Sequence, residues 1–190
     1  MNRYRIDASQ AELRLKFGIV VVREPDQPIE TEVVPKTPAY VIRNYGGLIL
    51  DTMAWGFQPA IRNRSVVHEG NLLSPAWRAA IERPDRRCLV PATSYCEMTA
   101  KVGADGQRQK KWVSLPGHPI FAFAGVWSSF LEGRGFALLT TTANALLSPL
   151  QPSSMPVILH EQDYDTWLTG TPEEVSILIQ PYSSKEMAIE

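Results

Sequence analysis

The first residue in this sequence equipped to do chemistry is a carboxylate at the end of a strand-like run. In Arg86-Arg87-Cys88-Leu89-Val90-Pro91-Ala92-Thr93-Ser94-Tyr95-Cys96-Glu97, an alternating apolar stretch ends on Glu97, a pattern by which a sheet delivers an acid into a cleft. Such a carboxyl group serves as general acid or base when a reacting group lies within hydrogen-bond reach. Its structural alternative is an ion pair, for example with Arg87, or a turn cap. Cys88 and Cys96 sit on the same apolar run and read as small buried core residues rather than thiolate nucleophiles. His68, His118 and His160 share no zinc-ligand spacing with one another or with the cysteines, so no metal site is expected. No glycine-rich phosphate loop and no Gly-x-Ser-x-Gly elbow occurs, and no cofactor is expected.

The elements around these residues must come from a chain of ordinary globular composition. At 190 residues, 44% hydrophobic and 21% charged, the sequence is too balanced for disorder, and a single domain over residues 1–190 is expected. Net charge is -1, so a nucleic-acid site would have to be a local basic patch. Two cysteines suggest a reducing compartment, and no apolar run reaches membrane-span length; the expectation is a cytoplasmic protein with no membrane contact.

A helix is expected after a capping box at Asp7-Ala8-Ser9-Gln10, with Leu13 and Phe17 on its apolar side and Gly18 as its stop. Pro25 to Pro38, with four prolines, reads as an extended surface segment. Asn44-Tyr45-Gly46-Gly47 signals a hairpin between Ala39–Arg43 and Leu48–Trp55. Ser74-Pro75 caps a short helix that Pro84 ends. Further strands are expected at 88–90, 93–97, 112–115, 120–127, 136–142 and 155–159, with a basic loop at 103–111, a turn at 133–135, and helices near 163–168 and 171–179. Many strands with short turns and scattered helices predict an α+β fold, mainly antiparallel β-sheets curled around a core with short flanking helices.

Six segments, in order, carry a resemblance. They are Asn2-Arg3-Tyr4-Arg5, Met53-Ala54-Trp55-Gly56-Phe57, Ser74-Pro75-Ala76-Trp77-Arg78, the stretch from Arg87-Cys88-Leu89-Val90-Pro91 to Glu97, Phe121-Ala122-Phe123-Ala124-Gly125-Val126-Trp127, and Met155-Pro156-Val157-Ile158-Leu159. Together they resemble the SOS response-associated peptidases, the SRAP family, in its phage-related branch. The resemblance implies a DNA-damage protein that meets abasic sites in single-stranded DNA. In the family, an N-terminal cysteine condenses through its amine with the ring-opened sugar aldehyde, and its thiol closes the imine to a stable thiazolidine. An asparagine, a glutamate and a histidine handle protons, arginines and an aromatic hold the strand, and the same residues are implicated in removing the leading methionine.

Carried over residue by residue, the family glutamate matches Glu97. The histidine position is taken by Gln151, which orients oxygen atoms but carries no proton near neutral pH. The asparagine falls on His68, with Gly70 at the following arginine position, in an ungapped register; in a gapped one it falls on Ala60, with Arg62 kept. The cysteine position is taken by Met1. Asparagine is a bulky second residue, so Met1 is expected to stay, placing its α-amine where the family's reactive amine lies. Its thioether has no proton to lose and closes no thiazolidine.

Three readings follow. A catalytically degenerate SRAP-like protein would keep the fold and bind single-stranded DNA through Arg3, Arg5, Arg62, Arg64 and Trp55, whose alternatives are solvated surface for the arginines and core for Trp55. An abasic-site lyase would use the Met1 amine with Glu97 and His68. An interaction protein would reuse the scaffold and present an apolar surface patch.

Overall fold

Alternating apolar residues build two sheets that share one buried core. The computed structural model describes residues 1–56, 68–69, 75–102, 106–130, 133–150, 152 and 154–190, with only the backbone at 68–69, 75–77, 101 and 130. In chain order the strands are β1 (Tyr4–Arg5), β2 (Val21–Val22), β3 (Glu32–Val33), β4 (Pro38–Asn44), β5 (Leu48–Trp55), β6 (His68–Glu69), β7 (Arg87–Ala92), β8 (Ser94–Val102), β9 (Arg108–Ser114), β10 (Phe121–Phe130), β11 (Gly133–Thr141), β12 (Met155–Pro156), β13 (Ile158–Leu159) and β14 (Ala188–Ile189). The helices are α1 (Gln10–Phe17), α2 (Pro75–Ile81), α3 (Tyr164–Thr169) and α4 (Pro172–Ser176).

The larger sheet runs β12-β11-β10-β7-β4-β5-β2. Parallel pairing of Phe136 on β11 with Trp55 on β5 brings its two sides together, so β5, β4, β7, β10 and β11 close around a core. The smaller sheet, β14-β9-β8-β1-β3, is antiparallel throughout. Tyr4 of the smaller sheet joins the two. Its ring meets Trp55 and Phe123 edge-on, at centroid distances of 5.2 and 5.8 Å, and all three side chains are fully buried. The mixed, sheet-dominated architecture with short helices is the one expected.

Local details differ where side chains choose their own partners. The capping box at α1 lies two residues beyond Asp7 and Gln10: Ser9 Oγ accepts from the Glu12 amide at 3.2 Å, and the Glu12 carboxylate accepts from the Ser9 amide at 2.8 Å. Asp7 donates its amide to Thr93 instead. Gly18, at φ 66°, ends α1 in the left-handed conformation. The residues expected as a turn at 133–135 are strand, because Gly135 pairs on both sides, with Ser128 and Ala54. The last four residues of the expected loop at 103–111 are also strand, since β9 begins at Arg108. The run at 155–159 splits at Val157, whose amide bonds Leu139 and whose carbonyl bonds Ala124, so β12 joins β11 while β13 joins β10. The last helix, α4, stops at Ser176, short of Ile179.

Candidate active site

Strand register brings the start of the chain to Glu97. On the smaller sheet Tyr4 pairs with Tyr95 and Arg5 with Ser94, and the Cys96 amide donates to the Arg3 carbonyl at 3.0 Å. Continuing this antiparallel course carries Met1 alongside Glu97, and the Met1 nitrogen donates to Glu97 Oε2 at 3.0 Å. The Met1 side chain is 2% exposed while the residue as a whole is only partly buried, so its solvent contact belongs to main-chain atoms. Those atoms border a cleft of about 530 Å³ whose lining includes Asn2, Glu97, Met98, Arg108 and Leu150.

The environment of Glu97 favours proton exchange. The residue is 4% exposed, and among the described residues its Oε1 has no hydrogen-bond partner. Burial pushes its carboxyl above the usual carboxylate range; the charge and hydrogen bond of the Met1 ammonium pull the other way without cancelling the effect. A carboxylate held this way is a stronger base than one in water. It can take a proton from the adjacent ammonium, leaving a neutral amine to attack a carbonyl, and return it to a departing hydroxyl. Among the described residues no group of three or more His, Cys, Asp or Glu is placed to hold a metal ion.

The other expected site residues are distributed unevenly. The backbone of His68 lies on β6 opposite Leu138, and its side chain is not described. Gln151, Arg62 and Arg64 lie outside the described residues, as do Ala60 and Gly70; Leu150 and Pro152, flanking Gln151, both line the cleft. Arg3 and Arg5 converge on Glu32, Arg3 Nη1 at 2.5 Å from Oε1 and Arg5 Nη2 at 3.8 Å from Oε2. The Arg5 guanidinium also lies 3.6 Å from the Trp112 ring centroid.

Trp55 is a correction. Its indole is 0% exposed inside the closed sheet and covered by Tyr4, so no base can stack on it. The core alternative holds because Tyr4 of β1 packs edge-on against the indole at the end of β5. Arg87 is not the partner of Glu97 either: it is 1% exposed and donates to the Gly170 carbonyl at 2.6 Å, at the end of α3. Cys88 and Cys96 are buried, and burial raises both thiols. The residue missed from sequence is Arg108. The β8–β9 hairpin, in which it pairs with Val102 after a register shift beyond Met98, brings it back to the cleft, and that irregularity left no alternating pattern to find it by.

The sequence profile of the SOS response associated peptidase (SRAP) family matches residues 2–190. Abasic site processing protein YoaM of Bacillus subtilis is 28% identical over 120 residues, which cover 58% of this chain and 52% of that protein. The chain thus spans about half the length of the curated relative it matches. Among solved structures, a Bacteroides thetaiotaomicron protein superposes with TM-score 0.82 at 19% identity, over all of this chain and 90% of the other. Two Bordetella bronchiseptica proteins follow: one with TM-score 0.82, 17% identity and 98% of its length covered, and one described as phage-related, with TM-score 0.77, 16% identity and 93% covered. In both cases all of this chain is included. At these identities the likeness is one of fold.

Proposed function

The chain belongs to the SRAP family, and on that premise we propose that it engages abasic sites in single-stranded DNA through a reversible imine at the Met1 α-amine. The observation that carries this reading is the 3.0 Å contact between the Met1 nitrogen and Glu97 at the edge of a cleft. Glu97 takes a proton from the ammonium, and the neutral amine adds to the aldehyde carbon of the ring-opened sugar. Glu97 then protonates the carbinolamine hydroxyl, which leaves as water and gives the imine. A thiazolidine would need an S–H to add across the C=N bond, and the Met1 thioether has none. Hydrolysis therefore returns amine and aldehyde, and the protein acts as a damage-response binder without a durable crosslink.

The elevated Glu97 carboxyl and its unpartnered Oε1 favour a second reading. The same carboxylate, by removing a proton from the carbon next to the imine, would start β-elimination and cut the strand. That makes the protein an abasic-site lyase.

Borohydride trapping tests both readings. Abasic single-stranded DNA with borohydride is expected to give a reduced adduct that mass spectrometry locates at Met1, and none with N-terminally acetylated protein. Intact mass establishes Met1 as the first residue of the protein used. Strand cleavage without borohydride marks the lyase. Met1→Cys, exposed after removal of an added initiator, is expected to yield an adduct that survives denaturation without reductant. Trapping that is absent, or indifferent to acetylation, overturns the amine chemistry.

A further inference from the structure

Away from the cleft, four arginines gather around one aspartate and one indole. Asp51 is 2% exposed; it accepts from Arg43 Nε and Nη2 at 3.1 and 2.6 Å, from Arg134 Nη1 and Nη2 at 2.5 and 3.0 Å, and from the Thr52 amide at 2.9 Å. Arg23 Nη1 lies 3.8 Å from the same Oδ2. The Arg43 and Arg86 guanidiniums each lie 4.8 Å from the Trp127 ring centroid. Arg86 has only a 3.7 Å approach to Asp85, whose two oxygens already accept from Arg83.

Donors and acceptors do not balance here. A carboxylate offers about four lone-pair sites, and five N–H groups already occupy Asp51. Three guanidiniums on one carboxylate leave an excess of positive charge in a chain whose net charge is -1. Held around a single oxygen, they are close enough to repel one another strongly in a partly desolvated setting. Arg23, Arg134 and Arg86 are 49%, 34% and 30% exposed, so each reaches solvent from the cluster. Among the described residues the Trp127 Nε1, also buried, has no acceptor.

We infer that Arg23, Arg86 and Arg134, held by Asp51, Arg43 and Trp127, form a binding site for a phosphate-type oxyanion. A multiply charged anion with several acceptor oxygens matches surplus guanidinium forks. The site does not depend on the chemistry at Met1. Its phosphate comes either as a small free anion or as part of a nucleic-acid strand.

The test uses the full chain. Titration with inorganic phosphate at fixed ionic strength, followed by calorimetry and thermal unfolding, is expected to show saturable binding that chloride does not reproduce. Arg23→Gln and Arg86→Gln each remove one charge-assisted contact, which weakens phosphate binding by about tenfold. Arg14→Gln, an exposed helix arginine outside the cluster, leaves binding unchanged. Circular dichroism melts check that the variants fold. Competition by single-stranded oligonucleotides identifies the source as strand phosphate; lack of competition alongside saturable phosphate binding identifies a free anion. Phosphate effects no larger than those of chloride, or equal losses in Arg14→Gln and Arg23→Gln, overturn the site.

Discussion

Replacing Glu97 with glutamine separates what this residue does for stability from what it does for chemistry. An ion pair at 3.0 Å attracts by ~5.5 kcal/mol at an effective dielectric of about 20. Removing a carboxylate from water costs several kcal/mol in the opposite direction. Burial wins, because the Glu97 carboxyl sits above its usual range even with the Met1 ammonium beside it. The charge on Glu97 therefore adds little net stability. Glutamine keeps an oxygen that can accept from the amine, and the exposed main chain of Met1 lets water solvate the ammonium. Glu97→Gln should change the unfolding free energy at pH 7 by less than ~1 kcal/mol, well short of the ~3–5 kcal/mol typical of orphaning a buried charge.

Imine formation, in contrast, should fall by about 10²–10⁴ in the variant, the usual range for losing a general acid–base. Urea unfolding followed by tryptophan fluorescence reads the first quantity, and single-turnover borohydride trapping reads the second. The pH dependence has a definite sign. With the folded-state pKa raised, the wild type gains its stability relative to the variant below the unfolded glutamate pKa of about 4.3 and loses it as pH rises through the folded value. A loss of more than ~3 kcal/mol with trapping unchanged would refute the reasoning and make Glu97 a structural ion-pair residue.

Trp55→Ala should cost about 3–5 kcal/mol by denaturant unfolding, and any fall in DNA affinity should vanish once the folded fraction is accounted for, since its ring is fully buried against Tyr4. Burial alone would raise the Asp51 carboxyl, but hydrogen bonds from Arg134, the Thr52 amide and Arg43 hold it below the usual range. The stability it contributes is accordingly lost as pH falls from about 3.9 through the folded value, and Asp51→Asn should remove about 3–5 kcal/mol at pH 7 while flattening that acid limb. A Cβ at Gly125 would lie 3.0 Å from both Cys88 Sγ and Val90 Cγ2. Gly125→Ala should therefore overpack the core by about 1–3 kcal/mol, with part of the loss recovered by Val90→Ala in the same chain.

The fold was legible because its signals are local and repeated. Strand alternation and the Gly46-Gly47 turn each act over a few residues, and both lie in the expected elements, as does the start of α2 at Pro75; the Ser74 cap lies outside the described residues. Glu97 was legible for the same reason, from the alternating run that carries it, although β8 does not end there as expected but continues to Val102. Its partner was not, since the Met1–Glu97 contact spans 96 residues and leaves no local pattern; only the family register pointed to it. Trp55 shows the limit from the other side. An aromatic at a strand end reads equally well as a stacking platform or as core, and the deciding fact is a tyrosine arriving from another sheet. The arginine cluster at Asp51 was invisible because its members come from separate strands and from the segments before β7 and after β2.

The chemistry at position 1 turns on how Met1 divides its atoms. Its side chain packs at the edge of the core, 2% exposed, while its main chain meets the cleft. A thiol at this position would have to face the aldehyde to close a ring; the thioether instead goes inward, where its polarisable sulfur fills space. Packing of the side chain and the bond to Glu97 thus fix the direction of the amine. Under the proposed function, what would be lost is the irreversible second step. On the proposed chemistry, occupancy of an abasic site then follows mass action and falls when the protein or the lesion is diluted. A thiazolidine would persist under the same dilution. On the proposed function, the exchange of a thiol for a thioether, with the amine and Glu97 retained, would convert a trap into an equilibrium binder.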